Sequence, residues 1–112
     1  MLKKDVLRKK KDFSSIYNRG KSLGGKYVVL FYKKNHLGYN RLGFLASKKV
    51  GNAVIRNRAR RLMKESFRKI APNLDQGYDL IFIARNTIQD VKCDEVYKSA
   101  SSLLKKAGLI KK

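Results

Sequence analysis

An α+β fold in one small domain, a single mixed sheet packed with helices, is what three features of this sequence predict. Apolar residues recur at helical spacing in a central and a C-terminal segment, short runs of β-branched and aromatic residues stand apart from them, and the two kinds interleave along the chain. The expected order is α-β-β-(β)-α-β-α, with the bracketed strand unplaced. A length of 112 residues suits one domain over 1–112, and 43% apolar content is enough for one core of modest size.

Residues 1–11 are charged and aperiodic, which predicts a flexible basic arm that orders only on a bound RNA. A short helix follows, with Phe13, Ile16 and Tyr17 on one face, Asp12 in the first turn and Gly20 as its C-cap. Lys10 stands where a capping Asn or Ser would be expected, so this helix begins without a side-chain cap. Spacing alone makes Phe13 and Tyr17 residues that dock the helix on the core.

Residues 26–33, Lys-Tyr-Val-Val-Leu-Phe-Tyr-Lys, form the clearest strand. Val28, Leu30 and Tyr32 point one way and Tyr27, Val29 and Phe31 the other, so either a helix covers each face or one face is an aromatic binding surface. Asn35, Gly38 and Asn40 mark residues 34–40 as a hairpin loop leading to a partner strand at 41–47. Residues 48–69 carry the long helical pattern, with Ile55, Ala59, Leu62, Met63, Phe67 and Ile70 as its apolar stripe. Pro72, Asn73 and Gly77 mark the exit into a strand at 78–84. A helix is expected from 94 to 107, where Val96, Tyr97, Ala100, Leu103, Leu104 and Ala107 recur at helical spacing, with Gly108 as its stop. The strands on either side of the long helix can pair in parallel as a βαβ unit, for which a right-handed crossover is the default.

Lys and Arg number 28 against 8 Asp and Glu, a net charge of +20, so a polyanion is the natural partner. On the long helix Arg56, Arg60 and Lys64 run down one flank, and Arg58 and Arg61 lie roughly 150° away at about 100° per residue. Two basic ridges on one helix would meet two nucleic-acid segments. No apolar run approaches the ~20 residues of a membrane span, and no secretory signal is visible. The single Cys93 forms no internal disulfide and, with the single His36, no zinc set, so a reducing, cytoplasmic setting is expected. His36 has no carboxylate near it in sequence, the acids are dispersed, and Gly24-Gly25 lacks the rest of a phosphate-cradling motif. No catalytic set is found in the chain itself, and no metal site or small-molecule substrate is expected on it. Arg58 and its neighbours in a DNA major groove, or a ribosomal-type structural RNA-binding protein with no part in cleavage, are the rival classes.

Residues 42–62, Leu-Gly-Phe-Leu-Ala-Ser-Lys-Lys-Val-Gly-Asn-Ala-Val-Ile-Arg-Asn-Arg-Ala-Arg-Arg-Leu, resemble the Arg-Asn-Arg signature of the protein subunit of bacterial ribonuclease P. Leu7-Arg8-Lys9, Asp12-Phe13, Tyr17 and Gly20-Lys21-Ser22 look like that family's N-terminal segment, and residues 78–85 like its last strand. The resemblance covers nearly the whole chain. It implies a left-handed βαβ crossover, overriding the default. It also implies a catalytic RNA partner that uses Mg2+ to hydrolyse precursor tRNA and release its 5′ leader, with the protein assisting.

Position by position, the resemblance makes Phe13, Tyr17 and Phe31 aromatics of a leader-binding cleft formed by the sheet and the first helix. Lys48, Arg56, Asn57 and Arg60 would line the same cleft, while Lys49, Arg58, Arg61 and Arg68 would contact the catalytic RNA. This reverses the docking role that spacing assigns to Phe13 and Tyr17. Asn57 could cap, bridge or order a hydrated magnesium ion, and Lys64 and Lys69 could be solvated. The protein alone is expected to be a monomer.

Overall fold

The last strand organises the molecule, because a run as apolar as Leu80-Ile81-Phe82-Ile83-Ala84 can sit only where both faces are covered. In the computed structural model, which describes residues 5–110, this strand lies inside a four-stranded sheet. The chain runs α1 (Lys10–Arg19), β1 (Lys21–Gly24), β2 (Val28–Lys34), β3 (Arg41–Leu45), α2 (Ala53–Ile70), β4 (Tyr78–Ala84) and α3 (Cys93–Lys106). Strand order is β1-β2-β4-β3, antiparallel except for the β3–β4 pair, which is parallel. The expected βαβ unit is therefore β3-α2-β4.

The hairpin expected between residues 26–33 and 41–47 does not form, because β4 lies between β2 and β3. Lys34 pairs with Tyr78 and Arg41 with Asp79, so residues 35–40 carry the chain past the start of β4 from one side to the other. Their asparagines serve that crossing. Asn35 N–H donates to Gly77 O at 2.9 Å, Asn40 Nδ2 donates to Asp75 O at 2.9 Å, and Asn40 Oδ1 accepts from Tyr78 N–H at 2.9 Å. The actual hairpin joins β1 to β2, closed by Gly25 N–H on Val28 O at 2.9 Å.

Period-two alternation divides the sheet into two faces. Val28, Leu30, Leu42, Leu80, Phe82 and Ala84 pack with Met63, Phe67, Val96 and Leu103 of α2 and α3 in one core. Phe44 stacks on Phe82 with ring centroids 5.5 Å apart, and Phe67 closes on both, which seats α2 on this face. Ile81 on the other face is covered by Ile16 of α1 and by Leu7, with Phe13, Phe31, Leu45 and Ile83 around them.

Two boundaries differ from expectation for physical reasons. The basic arm is shorter than residues 1–11: Val6 bridges Leu42, Leu7 is buried and donates its N–H to Leu42 O at 2.8 Å, and Lys10 and Lys11 belong to α1. One apolar Leu7 against an open strand edge is enough to tie the segment down. The arm's residues 1–4 lie outside the described residues. Residues 48–52 are a turn rather than helix, since Asn52 supplies the N-cap and its Oδ1 accepts from Ile55 N–H at 3.0 Å. Helix α1, by contrast, is capped by Lys9 without a side-chain bond. Gly20 ends it with extended backbone, and its missing side chain is needed for a close approach: a Cβ would lie 2.5 Å from Ile16 O and 2.6 Å from Tyr32 O. Gly108, at φ +77°, is the stop expected for α3.

Candidate RNA interface

Register places the aromatics in one row. Phe31 and Gly43 both pair with Ile81, one from each side, so all three positions face α1. Ile16 fills the middle over Ile81, and its helical neighbours Phe13 and Tyr17 reach to either side. Phe13 lies over Gly43, where an added Cβ would stand 3.1 Å from its Cε1 and 3.3 Å from its Cζ, so this glycine leaves the room in which the ring rim is seated. Tyr17 meets Phe31 edge to face at 5.0 Å and Phe13 at 6.4 Å. Tyr17 is 41% exposed, while Phe13 and Phe31 are half-buried, as are Val29, Leu45 and Ile83 in the next row. Phe67 and Phe82 on the other face are buried with Phe44 half-buried beside them, whereas none of Phe13, Tyr17 and Phe31 is buried. Burial pushes the Tyr17 phenol above its ordinary value, so at neutral pH the ring is uncharged and does not repel phosphate.

A network of ion pairs stands one row further along the same face. Arg41 donates through Nε to Asp79 Oδ1 at 2.8 Å and through Nη2 to Asp79 Oδ2 at 2.7 Å, a two-point grip on a carboxylate that is 3% exposed. Asn35 Nδ2 adds a third bond to Asp79 at 2.9 Å. Hydrogen bonding to Asp79, opposed by burial, raises the Arg41 pKa above its ordinary value. The remaining Nη1 reaches Asp12 Oδ2 on α1 at 3.3 Å. Neither Arg41 nor Asp79 stands out as a site residue in the sequence, because only the parallel register brings them opposite one another.

Helix α2 lies across the opposite face, so its cations belong to a second surface. Asn57, Arg60, Arg61 and Lys64 line a shallow recess of about 390 Å³ with Val54 at its edge. Asn57 Oδ1 accepts a hydrogen bond from Arg60, which makes the amide a bridge along the helix. Arg61 shares this recess with Asn57, Arg60 and Lys64 and so joins the flank from which the sequence separated it, while Arg58 stays apart. Lys64 also lines a more apolar recess of about 540 Å³ near Leu42, Phe67 and Leu74, on the C-terminal half of the helix.

Other cations are already engaged. Arg58 donates to Val91 O at 2.8 Å and holds the loop before α3 against α2. Arg68 pairs with Glu65 at 2.5 Å with both side chains exposed, a contact of little energetic weight. Lys69, rather than being only solvated, stands over the Tyr97 ring at 5.9 Å. Arg56 is half-buried, and its Nε meets no hydrogen-bond partner among the described residues. Lys48 and Lys49 are exposed in the turn before α2. The structure thus gathers Phe13, Tyr17 and Phe31 on one face and Asn57, Arg60 and Arg61 on another. Cys93 opens α3 half-buried, its Sγ 3.9 Å from Ser66 Oγ, a packing position. Among the described residues no helix is long and apolar enough to cross a membrane.

A mixed sheet with one open aromatic face and a cationic helix on the other defines a small, basic α+β RNA-binding protein. The family model for ribonuclease P matches residues 1–108, and the chain belongs to that family, the protein component of an endoribonuclease. The ribonuclease P protein component of Clostridium botulinum (strain Langeland) is 47% identical over 109 residues, spanning 96% of this chain and 98% of its own. That of Pelotomaculum thermopropionicum is 44% identical over 105 residues, 94% of each chain. The solved structure of the Staphylococcus aureus RNase P protein is similar with a TM-score of 0.85 at 31% identity, covering 96% of this chain and 98% of that one. The Thermotoga maritima RNase P protein gives 0.82 at 33% identity, covering 90% and 96%.

Proposed function

We propose that this chain binds the single-stranded 5′ leader of precursor tRNA on its aromatic face and the catalytic RNA of ribonuclease P through α2. Bound in this way, it assists magnesium-dependent removal of the leader in the cytoplasm. One observation carries the reading: three aromatic side chains from two separate elements converge on the α1 face and stay accessible, over an apolar row that a monomer would otherwise bury. Aromatic faces accept any base by stacking, which suits leaders of differing sequence. Lys48 and Arg56 are proposed to hold leader phosphates; Asn57 and Arg60, which the sequence grouped with them, share the α2 recess with Arg61 away from the aromatic face and are proposed to meet the catalytic RNA together with Lys49, Arg58, Arg61 and Arg68. Arg58 can do so with whatever donors its bond to Val91 leaves over.

Magnesium would supply the charge stabilisation and the activated water of phosphodiester hydrolysis, and the RNA would hold it. Among the described residues no group of three His, Cys, Asp or Glu could bind a metal ion, so no protein ligand is assigned. The protein's share is to bind and orient. Its net charge of +20 lowers repulsion between two RNA strands brought together, an effect that dissolved cations share. Adding the protein to bacterial ribonuclease P RNA at low magnesium is therefore expected to raise cleavage of precursor tRNA, more for longer leaders up to the length of the aromatic face. An unchanged rate, or tight binding to duplex DNA in its place, would refute the reading.

A further inference from the structure

We infer that Asp12 is a positioning residue for leader binding, acting through Phe13, and that Arg41 is its anchor on the sheet. The inference rests on the proposed leader site. Helix α1 carries two of the three aromatics of that face, yet it is weakly held: Lys9 gives no side-chain cap, and Ile16 is its one buried residue. The Asp12–Arg41 contact is the one ion pair that ties it to the sheet among the described residues. Arg41 can serve as an anchor because Asp79 already holds one edge of its planar guanidinium through Nε and Nη2, so Nη1 is presented to α1 in a set direction. Asp12 immediately precedes Phe13, and Arg41 lies two residues before Gly43, the seat of the Phe13 ring. Ion pair and aromatic seat therefore fix the same stretch of helix to the same stretch of β3.

The chemistry of the pair also matters for its surroundings. At 3.3 Å, with both side chains 23% exposed, the Asp12–Arg41 contact is looser than the Arg41–Asp79 grip and is the part that can give way. A carboxylate beside a phosphate-binding face is unfavourable unless it is neutralised, and Arg41 does this. Loss of the contact would both free α1 and leave an unpaired anion near the leader.

The test compares affinities of the reconstituted holoenzyme for precursor and mature tRNA. Asp12→Asn is expected to weaken precursor binding about 3- to 5-fold, the size a partly exposed ion pair supports, and to leave mature tRNA binding unchanged. Asp12→Glu, which keeps the charge, should restore most of the loss. Arg41→Lys, which can serve Asp79 or Asp12 but lacks the fork to serve both, should show the same selective weakening. Combining Asp12→Asn with Phe13→Ala should be no worse than Phe13→Ala alone if Asp12 acts through that ring. Full-strength precursor binding by Asp12→Asn, equal losses for both tRNAs, or additive effects with Phe13→Ala would each overturn the inference. Should Phe13→Ala itself show no leader-selective loss, the leader site falls. A selective Phe13→Ala beside a silent Asp12→Asn removes only the positioning role.

Discussion

Phe13→Ala is expected to weaken binding of precursor tRNA to the holoenzyme by about 10-fold or more while leaving mature tRNA within about 2-fold of the parent. A stacked base contributes about 1–3 kcal/mol, and only the precursor has a leader to stack. The expectation follows from placement: Phe13 sits over Gly43 and beside Tyr17 and is half-buried, so it packs against the sheet and still keeps part of its surface accessible. Truncation also removes packing, and a second variant separates the two effects. Phe13→Leu retains most of the apolar volume but offers no stacking face, so its precursor affinity should fall nearly as far while its unfolding midpoint barely moves. Recovery of precursor affinity in Phe13→Leu would show that Phe13 only docks α1, as its helical spacing alone suggests.

The largest effect on stability is expected at Arg41. Removing it leaves the Asp79 carboxylate, 3% exposed, with Asn35 as its remaining named side-chain partner, and an orphaned buried charge costs about 3–5 kcal/mol. Because Arg41 itself is 23% exposed and water can partly replace it, about 3 kcal/mol is expected for Arg41→Ala in urea unfolding. That is a large share of the stability of a domain this size. The double variant Arg41→Met/Asp79→Leu removes both charges together and should be more stable than Arg41→Met alone. A double variant worse than the single would show that the residues do not act as a pair. Sign matters for pH. The Arg41 pKa is raised in the folded state, so its contribution is present below the unfolded value and lost only as pH climbs through the folded one. The Arg41 term therefore leaves stability flat across the neutral range.

Patterns that depend on a single element were readable in the chain. The apolar stripe of α2 is buried at Ala59, Met63, Phe67 and Ile70 and half-buried at Ile55 and Leu62, and the bounds of β4 follow its continuous apolar run. What failed depends on strands meeting at a distance. Asn35, Gly38 and Asn40 announce a loop but cannot show that β4 inserts between the strands they join. Lys21-Ser22-Leu23-Gly24 is a strand with one apolar residue, which suffices at a sheet edge and leaves no alternation to detect. Leu7 looked like part of a charged arm because its partner, Leu42, is far along the chain.

The binding face shows the same division. Spacing grouped Phe13, Ile16 and Tyr17, and family resemblance added Phe31, but the row that unites them with Gly43 exists only through the register of β2, β4 and β3. The Arg41–Asp79 network was invisible for the same reason. On α2 the wheel separated Arg61 from Arg60 by angle alone, whereas both line one recess, because side chains this long reach beyond the point where they leave the helix.

The most direct test of an aromatic leader site is a cleavage probe on α1. With Cys93→Ser removing the single native cysteine, Ser14→Cys offers an exposed attachment point beside Phe13 for an iron chelate that cuts nearby RNA. In a holoenzyme bound to precursor tRNA, cuts confined to the leader, within several nucleotides of the processing site, are predicted. Cuts only in the tRNA body or the catalytic RNA, with the leader intact, would contradict the proposed site.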